Sequence, residues 1–249
     1  MQVRSLQEDK KVSKRALIAT IIIVVCIPLT LAGGAIWFQN DIGNHTRSYY
    51  FVSLFVIILA LIPFMLIFES RKPETREVVV ISVLVAIAVI GRVIFFMLPQ
   101  FKPVVAIVII AAVCLGPESG FIIGALAGFV SNFLFGQGPL SPWQMFGFGI
   151  IGFLAGVIFY KKTHKKILIP LCIFGGFATL IIYGVLLDTA SMLMASGGIS
   201  WGIWLGFLTV GIPFNIIHGI ATVIFLWVLA PMMIEKLDRV KKKYGIMQA

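Results

Sequence analysis

Arg92 and Lys102 stand among apolar residues in the run GRVIFFMLPQFKPVVAI that begins at Gly91. A second run, SNFLFGQGPLSPWQM, begins at Ser131 and supplies Asn132, Gln137, Trp143 and Gln144. A guanidinium and an ammonium attract anionic groups, a carboxamide carries donors and an acceptor, and an indole offers a flat apolar face. Such a set suits a ligand that is held by a few directed hydrogen bonds and by apolar burial. Catalysis lacks its residues. The sequence has no HExxH, no GxSxG, no phosphate-cradling P-loop and no paired acids within an apolar segment. No catalytic residue, cofactor or metal site is therefore expected. Cys26, Cys114 and Cys172 fall in apolar segments without disulfide or metal-ligand spacing, and read as small buried hydrophobes.

The elements that must position these residues are membrane spans. Sixty per cent of the residues are hydrophobic and 12% are charged, where a soluble chain would be about 45–50% apolar. The mean hydropathy of +1.06 agrees. A net charge of +10 raises the question of nucleic acid. The cations, however, sit in short runs between apolar segments, where they act as topogenic charge beside anionic lipid. Nucleic acid is not an expected partner; the bilayer is.

The apolar segments are residues 16–38, 49–68, 78–98, 103–115, 121–135, 145–160, 167–187 and 201–231. The first spans 23 residues, longer than the roughly 7–15 of a signal-peptide core, and reads as a retained span. Segments 103–115 and 121–135 are shorter than the roughly 20 residues a straight span needs. They are short spans or re-entrant half-helices, and either option returns the chain to the face it left. Alternating the segments puts the N-terminus, 69–77, 116–120, 161–166 and the C-terminal tail on one face. That face carries seventeen of the 20 Lys and Arg residues, which assigns it to the cytoplasm. The expected fold is an all-α integral membrane protein of eight spans with both termini cytoplasmic. Residues 1–77 hold a basic tail, two spans and a charged connector; residues 78–231 form a six-helix core; residues 232–249 form a basic tail.

Within this frame Arg92 lies about 9 Å down a helix at 1.5 Å per residue. A cation at that depth costs several kcal/mol unless it snorkels, pairs or lines a wet cavity. Snorkelling is the plain alternative, yet two outer cations within eleven residues run against the positive-inside bias. A polar pocket opening outward explains them better, with Asp188 as a candidate partner. Gly116, Gly120, Gly124 and Gly128 recur at every fourth position, a spacing that lets helix backbones approach closely. Tight packing within the chain is the first expectation for them, with Gly116, Pro117 and Gly120 shaping a turn. Gly152 and Gly156 repeat the spacing, as do Ser82 and Ala86. In the last span, Asn215 or water is expected to cover the carbonyl that Pro213 frees, and His218 to bond a neighbouring helix.

These features resemble a known family. A first core helix reading VISVLVAIAVIGRV, a glycine-rich middle and six spans between residues 78 and 231 are similar to the substrate-binding S-components of energy-coupling factor (ECF) transporters. The family implies a vitamin ligand captured outside. Its partners would be a transmembrane coupling (T) subunit and two cytoplasmic ATPases, at the plasma membrane of a bacterium. It also implies docking through an Ala-xxx-Ala-like patch, which Ser82 and Ala86 match in position. The stretch 96–145 resembles the cobalamin branch. For a corrinoid this implies amide contacts from Asn132, Gln137 and Gln144, and apolar contacts from Phe96, Phe101, Phe135, Trp143 and Trp201. Lys102 or Arg92 would meet a phosphate. Another small vitamin or precursor could use the same residue types, and an intramembrane enzyme or assembly factor is the alternative of a different class. The two N-terminal spans depart from the six-helix pattern.

The orientation is directly testable. In a cysteine-free background, a cysteine at Gly138 should react with an impermeant maleimide in intact cells, and one at Thr163 should not. The reverse labelling would overturn the charge-based topology.

Overall fold

The computed structural model describes residues 73–138, 140–160, 167–196 and 201–245, with Phe55, Ile62, Leu66 and Glu69 as isolated positions before them. The first apolar segment, most of the second, Cys26 and the basic run 161–166 lie outside the described residues. In chain order the elements are α1 (Thr75–Ile94), α2 (Val104–Leu115), α3 (Pro117–Phe135), α4 (Ser141–Phe159), α5 (Leu168–Phe177), a π-helical turn (Ala178–Tyr183), α6 (Gly184–Ser196) and α7 (Trp201–Tyr244). Among the described residues, five helices are long and apolar enough to cross a membrane: α1, α3, α4, the continuous rod Leu168–Ala195, and α7. The protein is a multi-pass, all-helical membrane protein in its described part.

α2 is the centre of the fold. All twelve of its residues are buried, and at 1.5 Å per residue it is only about 18 Å long. A helix apolar on every side is one surrounded by others, and α2 packs against α1, α3, α4, α5 and α7. Its neighbour is longer than the sequence suggested. α3 begins at Pro117 rather than near Phe121 and runs 19 residues. Pro117 and Glu118 favour a helix start, the first by its fixed φ and the second by its charge at the N-terminal dipole. The link between α2 and α3 shrinks to Gly116, whose φ of +94° suits glycine alone. Gly120 thus leaves the turn and joins the helix.

Two more boundaries move. The helix that was expected to end at residue 187 continues to Ser196, because Ala190 and Met192 are buried and hold the extra turns against the bundle. α7 passes through Pro213 and Pro231 and runs 44 residues, roughly 66 Å, so the basic tail is helical as far as Tyr244. Its far end returns to the start of α1. The Arg76 guanidinium donates to the Tyr244 carbonyl at 3.1 Å, and Lys241 donates to the Cys114 carbonyl at the end of α2. The charged ends of α1 and α7 and the C-terminal end of α2 therefore share one face. Arg92 lies 16 residues from Arg76 along α1, roughly 24 Å toward the other face.

α3 and α4 cross on glycine. A Cβ on Gly152 would stand 2.4 Å from the Gly120 carbonyl oxygen, one on Gly124 2.4 Å from that of Phe148, and one on Gly156 2.4 Å from the Pro117 Cα. Gly128 meets Met145 in the same way, at 3.1 Å. The every-fourth glycines pack within the chain, as expected. Gly152→Leu should force α3 and α4 apart and lower stability by about 1–3 kcal/mol. Gly138→Ala, with nothing within 4 Å of its added Cβ, should change nothing. Equal melting temperatures for both variants in detergent would remove the ladder from the account of stability.

Candidate functional site

The ladder leads directly to the polar residues. Antiparallel rungs run 120 to 152, 124 to 148 and 128 to 145. One turn further, Asn132 Nδ2 donates to Gln144 Oε1 at 3.0 Å. The glycines set the helix separation, and beyond the last of them on α3 a carboxamide pair bridges the two helices. α1 supplies Arg92 to the same place. Its Nη1 donates to Ser131 Oγ and, at 3.3 Å, to Asn132 Oδ1. Ser131 in turn donates to the Ala127 carbonyl at 2.5 Å.

Arg92 is 6% exposed, so the cation is buried rather than snorkelled. Its Cζ lies 4.7 Å from the centre of the Phe135 ring and 5.7 Å from that of Phe148. The negative faces of those rings stabilise a cation, more so when water is excluded. Lys102 Nζ lies over the same Phe135 ring at 5.5 Å. The connector that carries Lys102 is tightly shaped: Pro99 and Pro103 flank it, Gln100 sits at φ +56°, and Phe101 packs on Phe225 at 5.3 Å. Burial, with the nearby charge of Arg92, pushes the Lys102 ammonium below its ordinary value.

Beneath the carboxamide pair lies an aromatic floor. Phe148 and Tyr183 are stacked at 4.8 Å with planes 7° apart, and His218 meets Tyr183 edge-on at 5.0 Å. Tyr183 is the last residue of the π-helical turn, a feature that recurs at functional sites because its extra residue re-aims a side chain. Thr179 anchors the turn by donating to the Gly175 carbonyl at 2.7 Å, and its hydroxyl oxygen lies 3.1 Å from Thr222 Oγ1. Among the described residues, two buried side-chain polar atoms have no hydrogen-bond partner: Arg92 Nε and His218 Nδ1.

The structure therefore brings together Arg92, Lys102, Asn132, Phe135 and Gln144, and adds Phe148, Tyr183 and His218. Trp143 is buried in the first turn of α4, and Phe96 packs against Phe135 at 5.2 Å while remaining 57% exposed. Three expected residues do not join. Gln137 is exposed and spends its amide on the Phe129 carbonyl at 3.0 Å. Trp201 is 76% exposed and stands 17 residues before His218, roughly 25 Å along α7. Asp188 forms no ion pair with Arg92; it accepts from Asn215 Nδ2 at 2.8 Å and presses against Gly211. Asn215 is thereby committed to Asp188 rather than to a carbonyl freed by Pro213. Tyr183 and Phe148 carried no local signal beyond being aromatic, and only the packing of helices distant in sequence singles them out. Two apolar grooves on α7, one beside Leu171 and Pro231 and one beside Cys172 and Gly219, do not touch this cluster.

A comparison with known families decides the class. Residues 76–230 match the family described as ECF transporter, substrate-specific component. The chain belongs to that family. Its members are transporter components, not enzymes, which sets aside the alternative of an intramembrane enzyme or assembly factor. Among curated relatives, a UPF0397 protein of Aliivibrio salmonicida is 32% identical over 99 residues, 38% of this chain and 53% of its own length. A UPF0397 protein of Vibrio atlanticus is 30% identical over the same shares. One from Aliivibrio fischeri is 32% identical over 89 residues, 34% of this chain and 48% of its own length. The chain thus spans about half the length of the curated relatives it matches, and their bacterial origin fits a bacterial membrane protein. No solved structure matches the chain.

Asn132 joins Arg92 to Gln144, so Asn132→Ala should leave both short of a partner and cost about 1–3 kcal/mol. Gln137→Ala should be neutral within error. Detergent melting curves that rank the two variants the other way would refute the assigned network.

Proposed function

We propose that this protein is the capturing subunit of an ECF-type importer, taking a small vitamin or vitamin precursor at the outer face for delivery through a T subunit driven by two ATPases. Membership of the family supports the class. The observation that carries the binding site is the buried cluster Arg92–Asn132–Gln144, at the end of the bundle opposite the basic ends of α1 and α7. An outward site and a cytoplasmic coupling surface need that separation.

Ser82 and Ala86 are the proposed seat of the T subunit. Both are exposed on α1, on the stripe that also exposes Val79, Val83 and Ile90. Small side chains in an apolar stripe permit a partner helix to come close. Cobalamin or a related corrinoid is the finer reading, and its support is the sequence resemblance over residues 96–145. A corrinoid needs amides around a wide rim and several aromatic faces. Gln137 and Trp201 lie apart from the cluster, so its compact size favours the smaller ligand.

Ser82→Trp combined with Ala86→Trp should abolish vitamin uptake and co-purification with the T subunit, because bulky rings hold the helices apart. The double variant should still retain whatever small molecule the wild type carries through detergent purification, as read by mass spectrometry. Normal uptake by a folded double variant would sink the docking assignment. Loss of both folding and retention would show that these residues pack within the chain instead.

A further inference from the structure

Arg92 is buried, and no described residue answers its charge. Its Nη1 is committed to the neutral groups of Ser131 and Asn132, and Nε has no partner. The Nε and Nη2 edge is the side of the guanidinium that presents two parallel N–H bonds, the geometry matched by a carboxylate or phosphate. Neither nitrogen donates to protein among the described residues. Lys102 adds a second cation over the same Phe135 ring. Two like charges sharing one ring in a poorly hydrated place repel each other, and burial removes the water that would screen them.

The acids of the described helices lie elsewhere. Glu74, Glu77 and Glu118 belong to the opposite ends of α1 and α3, Glu235 and Asp238 to the far end of α7, and Asp188 is taken by Asn215. Among the described residues, no carboxylate pairs with Arg92 or Lys102. A guanidinium cannot relieve its burial by losing a proton, and none of the described residues supplies its counter-charge.

We infer that the captured solute is an anion, with a carboxylate or phosphate seated on the Nε edge of Arg92 and Lys102 at its outer side. The inference rests on the capture reading and narrows it to a substrate class. It disfavours neutral and cationic vitamins, which would leave the buried Arg92 and the half-buried Lys102 without an anion between them. An anionic lipid headgroup offers the same chemistry, and the test separates it from a soluble metabolite.

The full chain is purified from native membranes into phosphatidylcholine nanodiscs, and its aqueous and organic extracts are analysed separately by mass spectrometry. The expected result is a water-soluble carboxylate or phosphate ester in the aqueous extract. Arg92→Gln should lower its retention by roughly tenfold or more, and Lys102→Gln by less, since the buried charge-assisted contact is the stronger one. Because Arg92→Gln is able to disturb folding, the wild type is also titrated with the retained compound and with its methyl ester. The ester should bind at least about tenfold more weakly. Equal binding of acid and ester, or retention of a neutral or cationic solute, overturns the inference and leaves the capture reading standing. Retention of an anionic phospholipid alone, lost in Arg92→Gln, assigns the site to a headgroup and overturns it too. If the wild type retains no solute above a control membrane protein, the capture reading fails and the inference falls with it.

Discussion

The close approach of α3 to α4 is the constraint on which the rest depends. In a membrane, lipid tails are as apolar as Leu side chains, so two helices gain little from hiding apolar surface from lipid. They associate through dispersion contacts, which fall away steeply with distance. Glycine lets the backbones meet, and Gly120, Gly124, Gly152 and Gly156 each face a backbone atom of the other helix. The same contact fixes the register. With Gly124 set against Phe148 and Gly128 against Met145, Asn132 one turn on is close enough to α4 for its side chain to reach Gln144. Site geometry is thus a by-product of helix packing.

A wholly buried α2 turns this pair into a bundle. It has no lipid-facing side to lose, and α1, α3, α4, α5 and α7 close around it. Its end carbonyl at Cys114 would be an unmet acceptor, and Lys241 answers it from the end of α7. Cationic side chains suit a helix C-terminus because they meet both its free carbonyls and its dipole. That contact and the Arg76–Tyr244 contact tie the long α7 to the charged face. The opposite face then keeps the connector carrying Lys102 and the buried Arg92.

Polar groups within the bundle follow a clear order. Most are satisfied by their own or neighbouring helices: Thr179 by Gly175 and Thr222, Ser131 by Ala127, and Asp188 by Asn215. Against that background the unmet Arg92 Nε and His218 Nδ1 stand out, since buried polar atoms are nearly always paired. Both belong to one cluster, linked through Phe148 and Tyr183. A structure optimised only for stability would have filled that place with apolar side chains.

What the sequence by itself determined was whatever depends on local spacing or on bulk composition. Hydropathy marked the spans because no backbone polar group can face lipid unpaired. The split of Lys and Arg separated the two faces. Positions four apart share a helix face, so the glycine ladder and the place of Asn132 as its next step were legible, as was the oddity of Arg92 in an apolar run. Tertiary structure decided the rest. Asn132 and Gln137 look alike in sequence, but five residues place them on different faces of the chain, and only Asn132 turns to Gln144. Asp188 was a plausible partner for Arg92 by charge, yet α7 brought Asn215 closer. Tyr183, 91 residues from Arg92 in sequence, reaches the site through a π-helical turn whose extra residue no hydrophobic period announces. Pairing between distant helices depends on their register and on the backbone approach that particular side chains permit, and neither is a property of any one segment.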